Sequence, residues 1–448
     1  MSPDTDRTNR HHGLTPAPVL DIDPLLDAPD TRIVVCCGSG GVGKTTTAAA
    51  LGLRAAERGR KVVVLTIDPA RRLAQSMGID SLDNTPRRVK DVEGDGELHA
   101  MMLDMKRTFD EIVEAHADAE RAAAILGNPF YQSLSAGFAG TQEYMAMEKL
   151  GQLRARDEWD LIVVDTPPSR SALDFLDAPK RLGSFLDGRL IRLLTAPAKL
   201  GGRAGMKFLN VGMSMMTGTL GKLLGGQLLK DVQTFVSAMD TTFGGFRTRA
   251  DATYKLLQAP GTAFLVVAAP ERDALREAAY FVERLAAEDM PLAGLVLNRV
   301  HGSGADRLSA ERALAAAENL EEPRIVDQEG GKAGLRNSPD TYGSSEPPAS
   351  QPAPGDPASE SDSPVDPDRT VEQLTAGLLR LHADRMHLLS REQRTRDRFT
   401  ALHPEVAVAE VAALPGDVHD LAGLRDIGDR LAAGRPELPE SAVPTGQD

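Results

Sequence analysis

A glycine-rich segment that ends in Lys44 and Thr45 could bind the phosphates of a nucleotide. It matches the pattern in which a glycine, four variable residues, a glycine and a lysine precede a serine or threonine. The glycines allow consecutive backbone N–H groups to face phosphate oxygens, Lys44 would reach the β- and γ-phosphates, and the Thr45 hydroxyl would bind Mg²⁺. The predicted phosphate-binding residues are Gly38, Ser39, Gly40, Gly41, Val42, Gly43, Lys44, Thr45 and Thr46.

The same glycines also satisfy the shorter glycine pattern of dinucleotide-binding sites. Gly38, Gly40 and Gly43 have its spacing, and Asp68 follows near the distance at which an acidic residue would bind a ribose. Neither a dinucleotide-binding loop nor a purely structural glycine loop needs the lysine or the threonine. The sequence therefore predicts a nucleoside triphosphate site with Mg²⁺.

Two aspartates follow apolar segments and could complete this chemistry. Asp165 ends the run Leu161 to Val164 and would hold Mg²⁺ through a water molecule, with capping of a helix near Ser169 as the alternative. Asp68 is our candidate for orienting the water that attacks the γ-phosphate. We expect it to lie close to the metal ion without binding it directly. The alternative for Asp68 is a turn before Pro69.

Apolar strands that alternate with helical segments would position these residues. The alternation predicts an α/β fold, a doubly wound and mostly parallel sheet of the P-loop NTPase type with a helical insertion. A helix is expected from Lys44 to about Glu57, directly after the glycine-rich segment. Strands are expected at 32–37, 61–67, 98–103, 161–164, 262–268, 292–297 and 406–411, with further helices at about 371–396 and 418–433.

Changes in composition divide the chain into segments. The apolar, glycine-rich stretch between the fourth and fifth strands predicts helices, and the Pro-, Ser- and acid-rich stretch after residue 320 predicts disorder. The expected segments are a disordered arm (1–30), a first part of the P-loop core (31–178), a helical insertion (179–259), a second part of the core (260–320), a disordered linker (321–369), a C-terminal part of the core (370–434) and a tail (435–448).

Charge and apolar patterning argue against several classes of function. The net charge is −14, and residues 321–370 hold eleven acidic and four basic side chains, so we expect no nucleic-acid partner. No run of eighteen apolar residues occurs, so we expect no transmembrane segment. The only cysteines, Cys36 and Cys37, are neighbours on a strand, which favours buried thiols in a reducing cytoplasm over a disulfide or metal site.

Three motifs taken together resemble one family of nucleotide-binding proteins. They are Gly38 to Thr47, then Asp-Pro-Ala-Arg-Arg-Leu at 68–73, then Asp-Thr-Pro-Pro-Ser at 165–169. Their content and order are similar to the arsenite-pump and tail-anchored-protein-targeting ATPases of the deviant Walker A group. The resemblance covers residues 32 to about 320 and resumes near 400. It implies a dimeric, Mg²⁺-dependent ATPase in which Asp68 positions the hydrolytic water and Asp165 opens the second switch segment.

The resemblance also implies roles for later parts of the chain. Asn298 is similar to the asparagine that reads adenine, with turn chemistry at a strand end as the alternative, and Pro415 resembles part of the loop that covers adenine. The insertion at 179–259 falls where the targeting ATPases have a helical client-binding subdomain. Its methionines suit either an adaptable apolar groove or ordinary helix packing.

The chain departs from this family at Ser39. Family members usually carry a lysine there that reaches the nucleotide of the partner subunit, and a symmetric dimer of this chain would lack it at both sites. We therefore predict a heterodimer with a related ATPase that supplies the lysine, or a homodimer in which Arg71 or Arg72 replaces it. The zinc-binding and metalloid-binding cysteines of family members are also missing, which disfavours metalloid transport.

Two functions follow from these observations. The first is a cytoplasmic ATP-driven switch that couples hydrolysis to a membrane-protein client or a membrane transporter, and that could work at the membrane surface. The second is a weakly hydrolysing, nucleotide-binding regulatory subunit of a heteromeric complex. The mixed and acidic residues after Asp417 disfavour a partition-type ATPase that binds DNA or lipid through a basic helix.

Overall fold

The computed structural model describes residues 17–68, 72–129, 131–132, 141–167, 248–321 and 367–434. Most of the expected helical insertion therefore lies outside the described residues, as do positions 1–16 of the expected arm, 322–366 of the expected linker and the tail at 435–448. Residues 69–71 of the motif at 68–73 and residues 168–169 of the motif at 165–169 also lie outside them.

Strands alternate with helices along the described chain. The strands are β1 (Ile33–Cys37), β2 (Lys61–Thr66), β3 (Arg87–Arg88), β4 (Glu97–Met102), β5 (Leu161–Asp165), β6 (Thr262–Ala268), β7 (Leu292–Val300) and β8 (Val408–Ala412). The helices are α1 (Ile22–Asp27), α2 (Lys44–Glu57), α3 (Arg72–Ser76), α4 (Met105–His116), α5 (Ala119–Leu126), α6 (Thr141–Ala155), α7 (248–258), α8 (Arg272–Ala287), α9 (Ala310–Glu321), α10 (Pro367–Leu402) and α11 (Leu421–Ala433).

The strands form one sheet with the order β3-β4-β2-β5-β1-β6-β7-β8. Every neighbouring pair is parallel except β3 with β4, so the expected doubly wound, mostly parallel α/β fold is confirmed. In this order β2 lies on one side of β1, and β6 and β7 lie on its other side, so the strand order reverses at β1. In sheets of this type, ligands bind beyond the carboxyl ends of the strands where the strand order reverses.

Both faces of the sheet are covered by apolar side chains. Alternate residues of β1 point to opposite sides, so Val35 belongs to one core and Val34 to the other. The first core includes Phe109 of α4 and Phe281 of α8, and the second includes Leu51 of α2. Burial on both faces explains why the central strands are continuous apolar runs.

Residues 17–30 differ from the expected disordered arm because they contain α1. Ile22 and Leu26 are fully buried in the core beside α2. Asp23 accepts two hydrogen bonds from the Arg54 guanidinium of α2, at 2.5 and 2.8 Å, and Asp27 accepts from Arg58 one helical turn further along. The composition of the segment indicated disorder, but the matched spacing of its acids and the α2 arginines fixes it in place.

The expected boundaries in the second half of the chain also differ from the structure. The described residues of 303–390 form a compact unit of their own, whereas the expected segments assigned 303–320 and 370–390 to the P-loop core. Within this unit Arg380 of α10 pairs with Glu321 of α9, and the His382 ring contacts the Leu308 carbonyl oxygen at 2.7 Å. The linker boundaries shift accordingly, since Glu321 ends α9 and α10 begins at residue 367.

The short strand β3 was not predicted from the sequence. It pairs antiparallel with β4 at the edge of the sheet and consists of two exposed arginines, which carry no apolar signal. Among the residues that the structure describes, no helix combines the length and the apolar character needed to cross a bilayer.

Candidate nucleotide-binding site

The glycine-rich segment joins the buried carboxyl end of β1 to the start of α2. Gly38 has a φ of 149°, and a Cβ at this position would lie 2.1 Å from the Val267 carbonyl oxygen. Gly43 has a φ of 95°, and a Cβ there would lie 2.2 Å from Asn298 Nδ2. Both positions thus require glycine for conformation and for space.

The amino terminus of α2 is open toward this segment. Gly43 caps the helix without a side chain to bond its first N–H groups, so these groups are available to an anion. Lys44 is buried, and its Nζ donates to the carbonyl oxygen of Ser39 at 2.7 Å. Burial lowers the pKa of Lys44, while the negative charge of Asp165 acts in the opposite direction. The ammonium therefore lies across the glycine-rich segment, on the side where phosphates would bind.

Asp165 lies at the end of β5, between β1 and β2. In the sheet register it pairs with Cys36 of β1 and Thr66 of β2. Its Oδ2 accepts a hydrogen bond from Thr45 Oγ1 at 2.8 Å and another from Thr66 Oγ1 at 2.9 Å. Its Oδ1 is buried and has no hydrogen-bond partner among the described residues. Burial raises the pKa of Asp165 to about 6, although the two hydroxyl groups lower it.

This arrangement fits a bound magnesium ion. Mg²⁺ prefers oxygen ligands, and the Thr45 hydroxyl and the Asp165 carboxylate lie within hydrogen-bond distance of each other. A buried carboxylate oxygen without a donor is costly, and a cation or a metal-bound water would satisfy it. Thr45 and Asp165 are therefore the residues that would hold the metal, with Asp165 acting directly or through water.

Asp68 follows β2 at the same edge of the sheet. Its backbone N–H donates to Thr66 Oγ1 at 3.2 Å, and the N–H of Ile67 donates to the Asp165 carbonyl oxygen at 3.0 Å. Thr66 thus connects the segment of Asp68 to the side chain of Asp165. Thr66 was not predicted as a site residue, although a hydroxyl residue at the end of an apolar strand was a usable signal.

The two residues expected near adenine differ in where they lie. Asn298 is buried in β7, and its Nδ2 donates to the Val42 carbonyl oxygen at 2.9 Å, so it contacts the glycine-rich segment directly. Its Oδ1 accepts from the N–H of Arg299, whose φ is 60°. Pro415 is exposed in the segment after β8, and β6 and β7 separate β8 from β1. The structure therefore joins Asn298 to the phosphate-binding residues, while Pro415 remains a prediction.

The cysteines are free and fully enclosed in the core. Burial raises the pKa of Cys36 well above its usual value and that of Cys37 to about 12. Across the described ranges no group of three or more His, Cys, Asp or Glu side chains could hold a metal ion. The thiols near the glycine-rich segment therefore serve packing.

Comparison with known proteins identifies the family. The model of the anion-transporting ATPase family matches residues 31–322, which include the glycine-rich segment, Asp68, Asp165 and Asn298. The chain belongs to the anion-transporting ATPase family. Its members are ATPases, which agrees with the open helix terminus and the buried lysine of the site.

Curated relatives carry the name ATPase GET3. The protein of Malassezia globosa is 31% identical over 162 residues, which are 36% of this chain and 46% of that protein. That of Podospora anserina is 25% identical over 299 residues, 65% of this chain and 81% of that protein. That of Ajellomyces dermatitidis is 27% identical over 285 residues, 63% of this chain and 76% of that protein. The similarity to the first therefore spans less than half of its length.

Proposed function

We propose that this protein binds ATP with Mg²⁺ and hydrolyses it to ADP and phosphate in the cytoplasm. The observation that carries the proposal is the contact between Thr45 and Asp165, whose second carboxylate oxygen is buried without a partner beside the glycine-rich segment. Membership of an ATPase family supports ATP as the nucleotide.

The residues of the site then have distinct tasks. Lys44 and the first N–H groups of α2 neutralise the phosphates, and Thr45 with Asp165 holds the metal. When bound, Mg²⁺ would offset negative charge on the phosphate oxygens. Asp68 orients the attacking water by accepting a hydrogen bond from it, and Asn298 with Pro415 would bind the adenine. Release of phosphate would rearrange the segments after Asp68 and Asp165.

A single-turnover ATPase assay with the full-length chain, together with any ATPase that co-purifies with it, tests this assignment. Asp68→Asn keeps the shape of the side chain but removes its charge, so we expect the hydrolysis rate to fall roughly 100-fold or more. Nucleotide affinity should stay within a factor of about three. Asp80→Asn is the matched control, because Asp80 is exposed and makes no hydrogen bond among the described residues. Equal, very low rates for wild type and Asp68→Asn would favour the regulatory-subunit function instead.

We further propose that the active form is a dimer. In the free chain the only lysine at the glycine-rich segment is Lys44, which donates to the Ser39 carbonyl oxygen, and position 39 offers no second cation. The missing charge would come from a related ATPase in a heterodimer or from an arginine in a homodimer. Arg72 is exposed at the start of α3, close in sequence to Asp68, and is the described candidate.

Native mass spectrometry, with and without nucleotide, tests the assembly. The heterodimer predicts that the chain purified from its natural source carries a second ATPase. The homodimer predicts two copies of this chain and a hydrolysis rate that falls at least tenfold in Arg72→Ala or in the corresponding variant of Arg71. A fully active homodimer that needs neither arginine would contradict both versions.

We propose that the conformational change caused by hydrolysis acts on a membrane protein, which is either a client or a transporter. The support is the position of the segment at 179–247, which connects β5, next to the nucleotide site, to α7 and β6. Deleting residues 200–228 should leave nucleotide binding intact and abolish association with a hydrophobic helical peptide. Unchanged association of the deletion variant would refute this coupling to membrane proteins.

A further inference from the structure

The peptide group that precedes Asp68 is held by side chains at both ends. The Ile67 carbonyl oxygen accepts a hydrogen bond from Gln142 Nε2 at 2.9 Å. The Asp68 N–H at the other end of the same peptide donates to Thr66 Oγ1 at 3.2 Å. Because a peptide group is planar, fixing its carbonyl and its N–H fixes the direction in which the chain continues to the Asp68 Cα.

Gln142 comes from outside the nucleotide-binding segments. It lies in the first turn of α6 and is half-buried. No other described residue bonds the Ile67 carbonyl oxygen, which projects from the end of β2 where the parallel ladder stops. Without Gln142 this carbonyl would lose its partner, and the peptide could rotate.

Helix α6, which carries this contact, is anchored by two charged pairs. Its residue Lys149 is buried and bonds Glu111 Oε2 of α4 at 3.0 Å. The adjacent Glu148 is also buried, and it accepts hydrogen bonds from Tyr144 at 2.9 Å and from Arg249 of α7 at 2.6 Å. Separating either pair would leave the buried charge of Lys149 or Glu148 without its partner, which is costly. The amide of Gln142 is thus presented from an anchored helix.

We propose that Gln142 is a positioning residue for Asp68, acting through the carbonyl group of Ile67. The inference rests on the proposed hydrolysis and concerns the same site. Gln142 makes no hydrogen bond to the glycine-rich segment, to Thr45 or to Asp165 among the described residues. Its removal therefore affects the placement of the attacking water and leaves the binding of phosphates and metal unchanged.

The size of the effect follows from the geometry of hydrolysis. A displacement of a reacting group by about 1 Å can cost on the order of 100-fold in rate. Loss of one neutral hydrogen bond shifts the peptide only part of the time, because Thr66 still holds the N–H. We expect a decrease of roughly tenfold in the rate constant for hydrolysis when the Gln142 donor is absent.

Three substitutions in the full-length chain test the inference. Gln142→Met keeps the length of the side chain and removes the donor, whereas Gln142→Lys keeps an N–H donor of similar reach. Gln152→Met is the matched control, because Gln152 lies on the same helix, is also half-buried and makes no side-chain hydrogen bond among the described residues. Single-turnover hydrolysis and the Kd for ATP are measured for each variant.

The expected result is a separation of rate from affinity. Gln142→Met should hydrolyse ATP roughly tenfold more slowly with a Kd within about twofold of wild type, while Gln142→Lys and Gln152→Met stay within about threefold of the wild-type rate. In an Asp68→Asn background, Gln142→Met should cause no further decrease, because both substitutions then remove the same function.

Three results would overturn the inference. The first is a wild-type rate in Gln142→Met. The second is a parallel loss of rate and affinity, or an equal effect of Gln152→Met, since either indicates a general role in folding. The third is an additive effect in the Asp68→Asn background. A wild-type chain that binds ATP and does not hydrolyse it, even together with any ATPase that co-purifies with it, would refute the proposed function itself, and the inference with it.

Discussion

Replacing Asp165 by asparagine is expected to remove hydrolysis and, at neutral pH, to relieve a destabilising charge in the nucleotide-free protein. The side chain is fully buried, one of its oxygens has no hydrogen-bond donor among the described residues, and its pKa is raised to about 6. The ionised carboxylate thus opposes folding when no cation neutralises it. Asparagine has the same shape and cannot ionise.

The magnitude follows from the shift in pKa. The rise from 3.8 to about 6 is roughly two units, and each unit corresponds to about 1.4 kcal/mol, so the ionised carboxylate costs about 3 kcal/mol at pH 7. Asparagine removes this cost but places an amide N–H₂ where Oδ1 lacked a donor, at a cost of about 1 to 3 kcal/mol. The variant is therefore expected to be as stable as wild type at pH 7, or up to about 2 kcal/mol more stable.

The dependence on pH separates the two contributions. The folded protein binds the Asp165 proton more tightly than the unfolded chain does, so this group lowers the free energy of unfolding as pH rises from about 4 to 6. The cost of the amide is the same at every pH. The stability of Asp165→Asn relative to wild type should therefore increase by about 2 kcal/mol between pH 4.5 and pH 7.5.

Urea unfolding without nucleotide and Mg²⁺ measures this difference. Trp159 is the only tryptophan, it is 5% exposed, and it lies two residues before β5, so its fluorescence reports unfolding of the core around Asp165. Asp80→Asn, at an exposed position whose side chain makes no hydrogen bond among the described residues, is a control for adding an amide. A relative stability that does not change with pH would refute the reasoning, as would Mg²⁺-dependent hydrolysis by the variant.

Three further outcomes are expected. Gly43→Ala should weaken ATP binding at least tenfold in calorimetry, because its Cβ would lie 2.2 Å from the Asn298 amide; wild-type affinity would show that the segment can rearrange. Ile22→Ala should lower the free energy of unfolding by about 2 to 4 kcal/mol, whereas Val19→Ala, at a position 49% exposed, should change it little; equal effects would mean that α1 does not contribute to the core. Both cysteines should resist alkylation in the folded protein at pH 8 and react in denaturant, because burial raises their pKa values; rapid labelling of the folded protein would contradict their enclosure.

Local sequence patterns were sufficient for the central strands and for helix α2. The run Thr262 to Ala268 and the segment Lys44 to Glu57 begin and end as predicted, because a continuous apolar run or an alanine-rich helix after glycine is determined by neighbouring residues. Predictions from composition were wrong where contacts with distant residues determine the structure. The segment around Ile22 has the composition of a disordered arm. It is helical because α2 offers an apolar surface for packing and two arginines that pair with its aspartates.

The sequence by itself indicated the chemistry of the site: a lysine, a threonine and two aspartates, each at or just after the end of a strand or at the start of a helix. The tertiary structure alone decided how they meet. Placing β5 between β1 and β2 brings Thr45, Thr66 and Asp165 within hydrogen-bond distance, and packing α6 against α4 brings Gln142 to the Ile67 carbonyl oxygen. Strand order and helix packing depend on contacts between residues far apart in the chain, which no local pattern of residue types specifies.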